Sequence, residues 1–115
     1  AGFAADALLL SRLQTLTARS PELAPKTGLV LSGSEFAGNP QRRNRLAERF
    51  PGALLIDMES AGAALVAQRM RVPFLCAKIA ADTANDTVCA ATFRQSSALA
   101  LKNLEILARL ILTGL

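Results

Sequence analysis

The sequence predicts an α/β domain, a layered and largely parallel sheet flanked by helices. Two observations carry this. The apolar periodicity switches repeatedly along the chain, in the order helix, strand, helix, strand, helix, strand, helix. The strand segments are continuous apolar runs, the pattern of strands covered on both faces, as parallel strands are. The 115 residues, about half of them apolar, suffice for one small core and argue against disorder.

Each element has its own reason. Over residues 5–18, Ala5, Leu8, Leu9, Leu13 and Leu16 fall on one helical stripe. Pro21 and Pro25 punctuate a loop over residues 20–26. Residues 27–31 form a short buried strand ended by Ser32-Gly33-Ser34. Residues 40–49 are helical, with Pro40 suited to the first turn. Phe50-Pro51-Gly52 breaks that helix, and residues 53–56 form the second strand. A helix follows over residues 59–70, where Ala61, Ala64, Leu65 and Val66 pack closely. Residues 72–80 read as a third buried strand, residues 82–86 as a polar loop, and residues 92–112 as a long closing helix.

Composition narrows the chemistry. The chain has no His, Trp or Tyr. It therefore lacks the usual proton-transfer group near neutral pH and the common imidazole ligand of zinc and copper. Acid chemistry falls to carboxylates or lysine. Cys76 and Cys89 lack metal spacing, and Cys76 reads as a small buried hydrophobe. Neither a metal nor a cofactor is expected. The net charge is +4, and Arg42, Arg43, Arg45 and Arg49 form the densest basic cluster. No aromatic residue interleaves with them to stack bases, so they read as a solvated helix face rather than a nucleic-acid surface. No run approaches the roughly 18 apolar residues of a membrane span, and no secretion signal is evident. The expected compartment is the reducing cytoplasm.

One stretch poses a question. In Leu54-Leu55-Ile56-Asp57-Met58-Glu59-Ser60-Ala61-Gly62, an apolar run stops at two acids around a methionine. Burying an unpaired carboxylate costs several kcal/mol, on the order of 2–7 for a polar group and more for a charge. Either the acids reach water at a strand end or one of them meets a polar partner. In parallel sheets, ligands sit beyond the carboxyl ends of the strands. Three polar tips lie at such ends: residues 32–36, 57–59 and 82–85. Glu59, at a helix start, suits a diol through its two acceptor oxygens. Met58 offers a polarizable contact, and Phe36 an aromatic face. Asp82, partly desolvated, suits proton donation. Singly, each also reads as an ordinary helix-start acid, core aromatic or turn former.

The motifs Ser32-Gly33-Ser34-Glu35-Phe36, Phe50-Pro51-Gly52-Ala53, Asp57-Met58-Glu59-Ser60-Ala61-Gly62-Ala63, Val72-Pro73-Phe74-Leu75 and Lys78-Ile79-Ala80-Ala81-Asp82 occur in that order. This resembles the purine and uridine phosphorylase superfamily, and among its members the 5′-methylthioadenosine/S-adenosylhomocysteine nucleosidases. The resemblance implies that residues 1–115 form the C-terminal half of a nucleoside phosphorylase-like domain, one piece of a longer enzyme. It implies cleavage of the N-glycosidic bond of a purine nucleoside, by hydrolysis in the nucleosidase case, with phosphorolysis or non-catalytic nucleoside binding as alternatives. By position, Glu59 would hold the ribose hydroxyls and Met58 would pack on the ribose. Phe36 would stack on the purine, the backbone near Ala37 would read the base edge, and Asp82 would act at N7. A homo-oligomer, a purine nucleoside substrate and a place in methionine salvage are implied as well. Ser34, Lys78 and Ala81 depart from the usual family residues at their positions.

Overall fold

The computed structural model describes residues 2–35, 37–80 and 90–115. Its elements are α1 (Ala7–Thr17), a 3-10 turn (Pro21–Leu23), β1 (Leu29–Ser32), α2 (Pro40–Arg49), β2 (Ala53–Asp57), α3 (Ser60–Met70) and α4 (Ala90–Gly114). The sheet is parallel, with β1 beside β2. The expected α/β class, with a parallel sheet flanked by helices, is what forms.

Local chemistry explains the helix limits. Asp6 caps α1, its carboxylate accepting from the Leu9 N–H at 2.9 Å. Asn39 caps α2 by accepting from the Arg42 N–H at 2.7 Å, and Pro40 fills the first helical position, where no N–H is needed. Phe50-Pro51-Gly52 then turns the chain, with Gly52 at φ +86°, a conformation natural to glycine. Arg71 ends α3 in the left-handed region at φ 57°, and the Val72 N–H returns to the Ala67 carbonyl at 2.9 Å.

The register pairs Val30 with Leu55, Leu31 with Ile56 and Ser32 with Asp57, after one irregularity next to Leu29. The Gly33 N–H extends the ladder to the Asp57 carbonyl at 3.1 Å. Because the strands run parallel and end together, the loops that leave them emerge side by side at one edge of the sheet.

The third strand expected over residues 72–80 does not form. A strand is defined by its ladder, and among the described residues β1 and β2 pair only with each other. Its recorded backbone ties are the Val72 bond to α3 and the Phe74 carbonyl, which accepts from the Asp6 N–H at 2.7 Å. An apolar run reports burial, and pairing partners are a separate matter. Two of its side chains still reach the end of β2 and the start of α3, Lys78 at Asp57 and Cys76 at Ser60.

Leu13, Leu16 and Thr17 of α1, Ala64 of α3 and Leu107 of α4 are buried, and α1 packs against α4. Thr17 satisfies its hydroxyl by donating to the Leu13 carbonyl at 2.9 Å. Much apolar surface stays open, including Leu29 on β1, Leu54 on β2 and Val66 and Met70 on α3. The accessible area is 8671 Å². A compact monomer of this mass exposes about 6,000 Å². Strands of a parallel sheet are ordinarily covered on both faces, and here they are not.

Candidate functional site

The two acids at the end of β2 have different fates. The Asp57 side chain is only 7% exposed, whereas that of Glu59 is 74% exposed. Asp57 is therefore the acid that meets polar partners. Ser60 donates to it twice, through its hydroxyl to Oδ2 and through its N–H to Oδ1 at 3.2 Å. The Lys78 ammonium lies 2.9 Å from Oδ2. The Ser32 hydroxyl, opposite in register, also supports the carboxylate. Burial alone would push the Asp57 carboxyl up. The hydrogen bonds from Ser60, Ser32 and Lys78 outweigh it and hold the group well below the ordinary carboxylate range. Lys78 is correspondingly raised, chiefly by its hydrogen bond to Asp57, against the opposing effect of burial.

This cluster locks three elements together. Ser32 Oγ on β1 accepts from the Ala61 N–H in the first turn of α3 at 3.0 Å. Thus orphan donors of that turn are taken by Asp57 of β2 and Ser32 of β1. The Cys76 sulfur lies 3.1 Å from Ser60 Oγ. The Ser60 proton goes to Asp57, so the thiol is the donor in that pair. Cys76, expected as a plain apolar filler, is a half-buried member of a polar chain.

Glu59 stands on the solvent side of the cluster. It was expected as the first residue of the helix but occupies the cap position without a side-chain cap bond, so α3 starts one residue later. Its Oε2 lies 3.4 Å from the Met58 N–H and 3.4 Å from Lys78 Nζ. Lys78 therefore bridges the buried and the exposed acid. Met58 is 48% exposed beside Glu59.

The loop after β1 forms the other side of this edge. Ala37 is half-buried, and its carbonyl accepts from Arg43 Nε at 2.8 Å. Glu35 pairs with Arg42 at 2.6 Å. Arg42 and Arg43 thus turn back onto the loop, whereas the sequence suggested a solvated arginine face. Phe36 and Asp82 lie outside the described residues. The structure thus brings Met58 and Glu59 together and sets the loop carrying Ala37 at the same sheet edge. Asp57 and Lys78 were not singled out as site residues. A strand-end acid within an apolar run was the available signal for Asp57, but its partner is 21 positions away. A cavity of about 250 Å³, lined by Phe3, Asp6, Ala64, Gln68 and Phe74 among others, holds none of these acids. Among the described residues no group of three or more Cys, Asp or Glu is placed to hold a metal, and no helix is long and apolar enough to cross a membrane.

A parallel α/β unit presenting a carboxylate and a loop at its strand ends has the architecture in which ligands bind beyond the carboxyl ends of the strands. The sequence profile of the phosphorylase superfamily matches residues 1–113, and the chain belongs to that family. It is 33% identical over 64 residues to the 5′-methylthioadenosine/S-adenosylhomocysteine nucleosidase of Staphylococcus aureus strain JH9, and equally to those of strains Newman and COL. The matched stretch is 56% of this chain and 28% of each relative, so the match spans well under half of the relatives' length. No solved structure matches the chain.

Proposed function

We propose that the protein containing this chain cleaves the N-glycosidic bond of a purine nucleoside, with water as the second reactant, and that residues 1–115 supply the C-terminal half of its catalytic domain. The observation that supports this is the division between the two acids. Asp57 is neutralised inside by Lys78, Ser60 and Ser32, which leaves Glu59 as the carboxylate facing solvent beside Met58. Glu59 can accept from both hydroxyls of a ribose diol. Glycosidic cleavage builds positive charge on the sugar and negative charge on the base. A carboxylate at the diol stabilises the first, and a proton given to N7 by Asp82 stabilises the second. Phe36 stacks on the purine, and the backbone at Ala37 meets the base edge. Family membership and the names of the relatives support nucleoside cleavage in general. The nucleosidase names of the relatives favour water over phosphate as the second reactant.

The open apolar surface supports association with the rest of the domain or with further copies, and a cytoplasmic homo-oligomer is the assembly we propose. The test is release of free base from purine nucleosides by the full protein, followed by chromatography. Glu59→Ala is expected to abolish nucleoside binding, and Asp82→Asn to leave binding but nearly abolish release. Unchanged release in Asp82→Asn removes Asp82 from the mechanism. Turnover that requires phosphate replaces hydrolysis with phosphorolysis.

A further inference from the structure

Of the arginines on α2, Arg43 engages the backbone of the loop after β1. Arg43 sits in the first turn of α2, where its backbone N–H bonds the Asn39 carbonyl at 3.2 Å. Its guanidinium reaches back over the loop. Nε donates to the Ala37 carbonyl at 2.8 Å, and Nη2 donates to the Gly38 carbonyl at 3.2 Å. Two consecutive backbone acceptors are thereby engaged by one charged fork. Hydrogen bonds to a charged donor are roughly twice as strong as neutral ones. In a trans peptide the C=O and N–H groups point in opposite directions. Holding the Ala37 and Gly38 carbonyls toward the guanidinium turns the Gly38 and Asn39 N–H groups away from it.

We propose that Arg43 is a specificity-determining residue that withdraws these carbonyls from base recognition, so that the loop selects a 6-oxopurine nucleoside over a 6-aminopurine one. This rests on the reading that the backbone at Ala37 meets the base edge. A 6-amino group needs an acceptor there. Each carbonyl already accepts one charged N–H, and the fixed positive charge beside it opposes the approach of a second donor. A 6-oxo group needs a donor, and the N–H groups supply donors. In its base, the substrate then differs from the adenosine derivatives for which the relatives are named. Arg43 touches no substrate in this scheme and acts through the loop.

The experiment uses the full protein and two readouts. The first is kcat/KM for inosine against adenosine. The second is calorimetric binding of free hypoxanthine against free adenine, which needs no turnover. The wild type is expected to prefer the oxo member of each pair by roughly tenfold or more, the size expected when one matched hydrogen bond replaces a mismatch. Arg43→Met is expected to move both ratios toward the amino member by about the same factor. Arg43→Lys keeps a charge and one donor, and is expected to retain the oxo preference. A wild type that prefers the amino member overturns the proposal. So do ratios unmoved in Arg43→Met, including the case where both variants weaken the two members equally, as a purely structural role would. Selective hypoxanthine binding without base release sinks the cleavage reading and leaves the selectivity standing. Binding of neither base sinks both.

Discussion

Replacing Lys78 with Met tests the network behind Glu59 most directly. Lys78→Met keeps the bulk of the side chain and removes the ammonium 2.9 Å from Asp57 Oδ2. Breaking a fully buried ion pair costs on the order of 3–5 kcal/mol, because a buried charge is left unpaired. Two features reduce that figure. The Lys78 side chain is 32% exposed, so solvent already screens the pair, and both Ser60 bonds to Asp57 remain. We expect a loss of about 2 kcal/mol at pH 7.

The pH dependence follows from the directions of the two shifts. Asp57 is depressed in the folded state, so its stabilisation is present above the unfolded carboxylate value near 3.8 and is lost as pH falls below that. Lys78 is raised, so its stabilisation is present below the unfolded value of 10.5 and is lost as pH rises through the folded value. The difference between wild type and variant should therefore be flat between about pH 5 and pH 10 and shrink on both sides. Urea unfolding of the full protein, followed by circular dichroism at a series of pH values, measures this. A difference under about 0.5 kcal/mol at neutral pH refutes the reasoning, as does one that persists undiminished near pH 2.

Three further outcomes are expected. Asn39→Ala removes the acceptor of the Arg42 N–H, and should cost about 1 kcal/mol in urea unfolding. Arg71→Gly relieves a non-glycine residue at φ 57° and should raise stability by roughly 0.5–1 kcal/mol, seen as a higher urea midpoint at unchanged slope. The 115-residue chain alone, with Leu29 and Leu54 of the sheet about half exposed, should self-associate in sedimentation. A monomer with a sharp thermal transition would contradict that last expectation.

Most of the element order was readable from local signals. The span Pro40–Arg49 matched to the residue because Asn39, Pro40 and the Phe50-Pro51-Gly52 break are all local instructions. The start of α1 shifted by two residues because Asp6 is an extended cap, and that of α3 by one, with Glu59 at the cap position. The segment 72–80 was misread because an apolar run says nothing about whether a ladder partner lies beside it. At the site, the strand-end position of Asp57-Met58-Glu59 was legible. Which acid turned inward was not, since the choice depends on Lys78, Ser32 and Cys76 arriving from elsewhere in the chain.

What the sequence determined alone was whatever depends on near neighbours. That covers the switch from helical to strand patterning, the capping side chains, the turn at Gly52, the lack of imidazole and the order of motifs that marks the family. The tertiary structure decided the distant pairings, which are Ser32 against Asp57 in register, Lys78 across to Asp57 and Glu59, and the adjacency of the two loops. The physical reason is one of range. Capping and propensity act over three or four residues, whereas the energy of a buried charge depends on which side chains folding brings within hydrogen-bond distance.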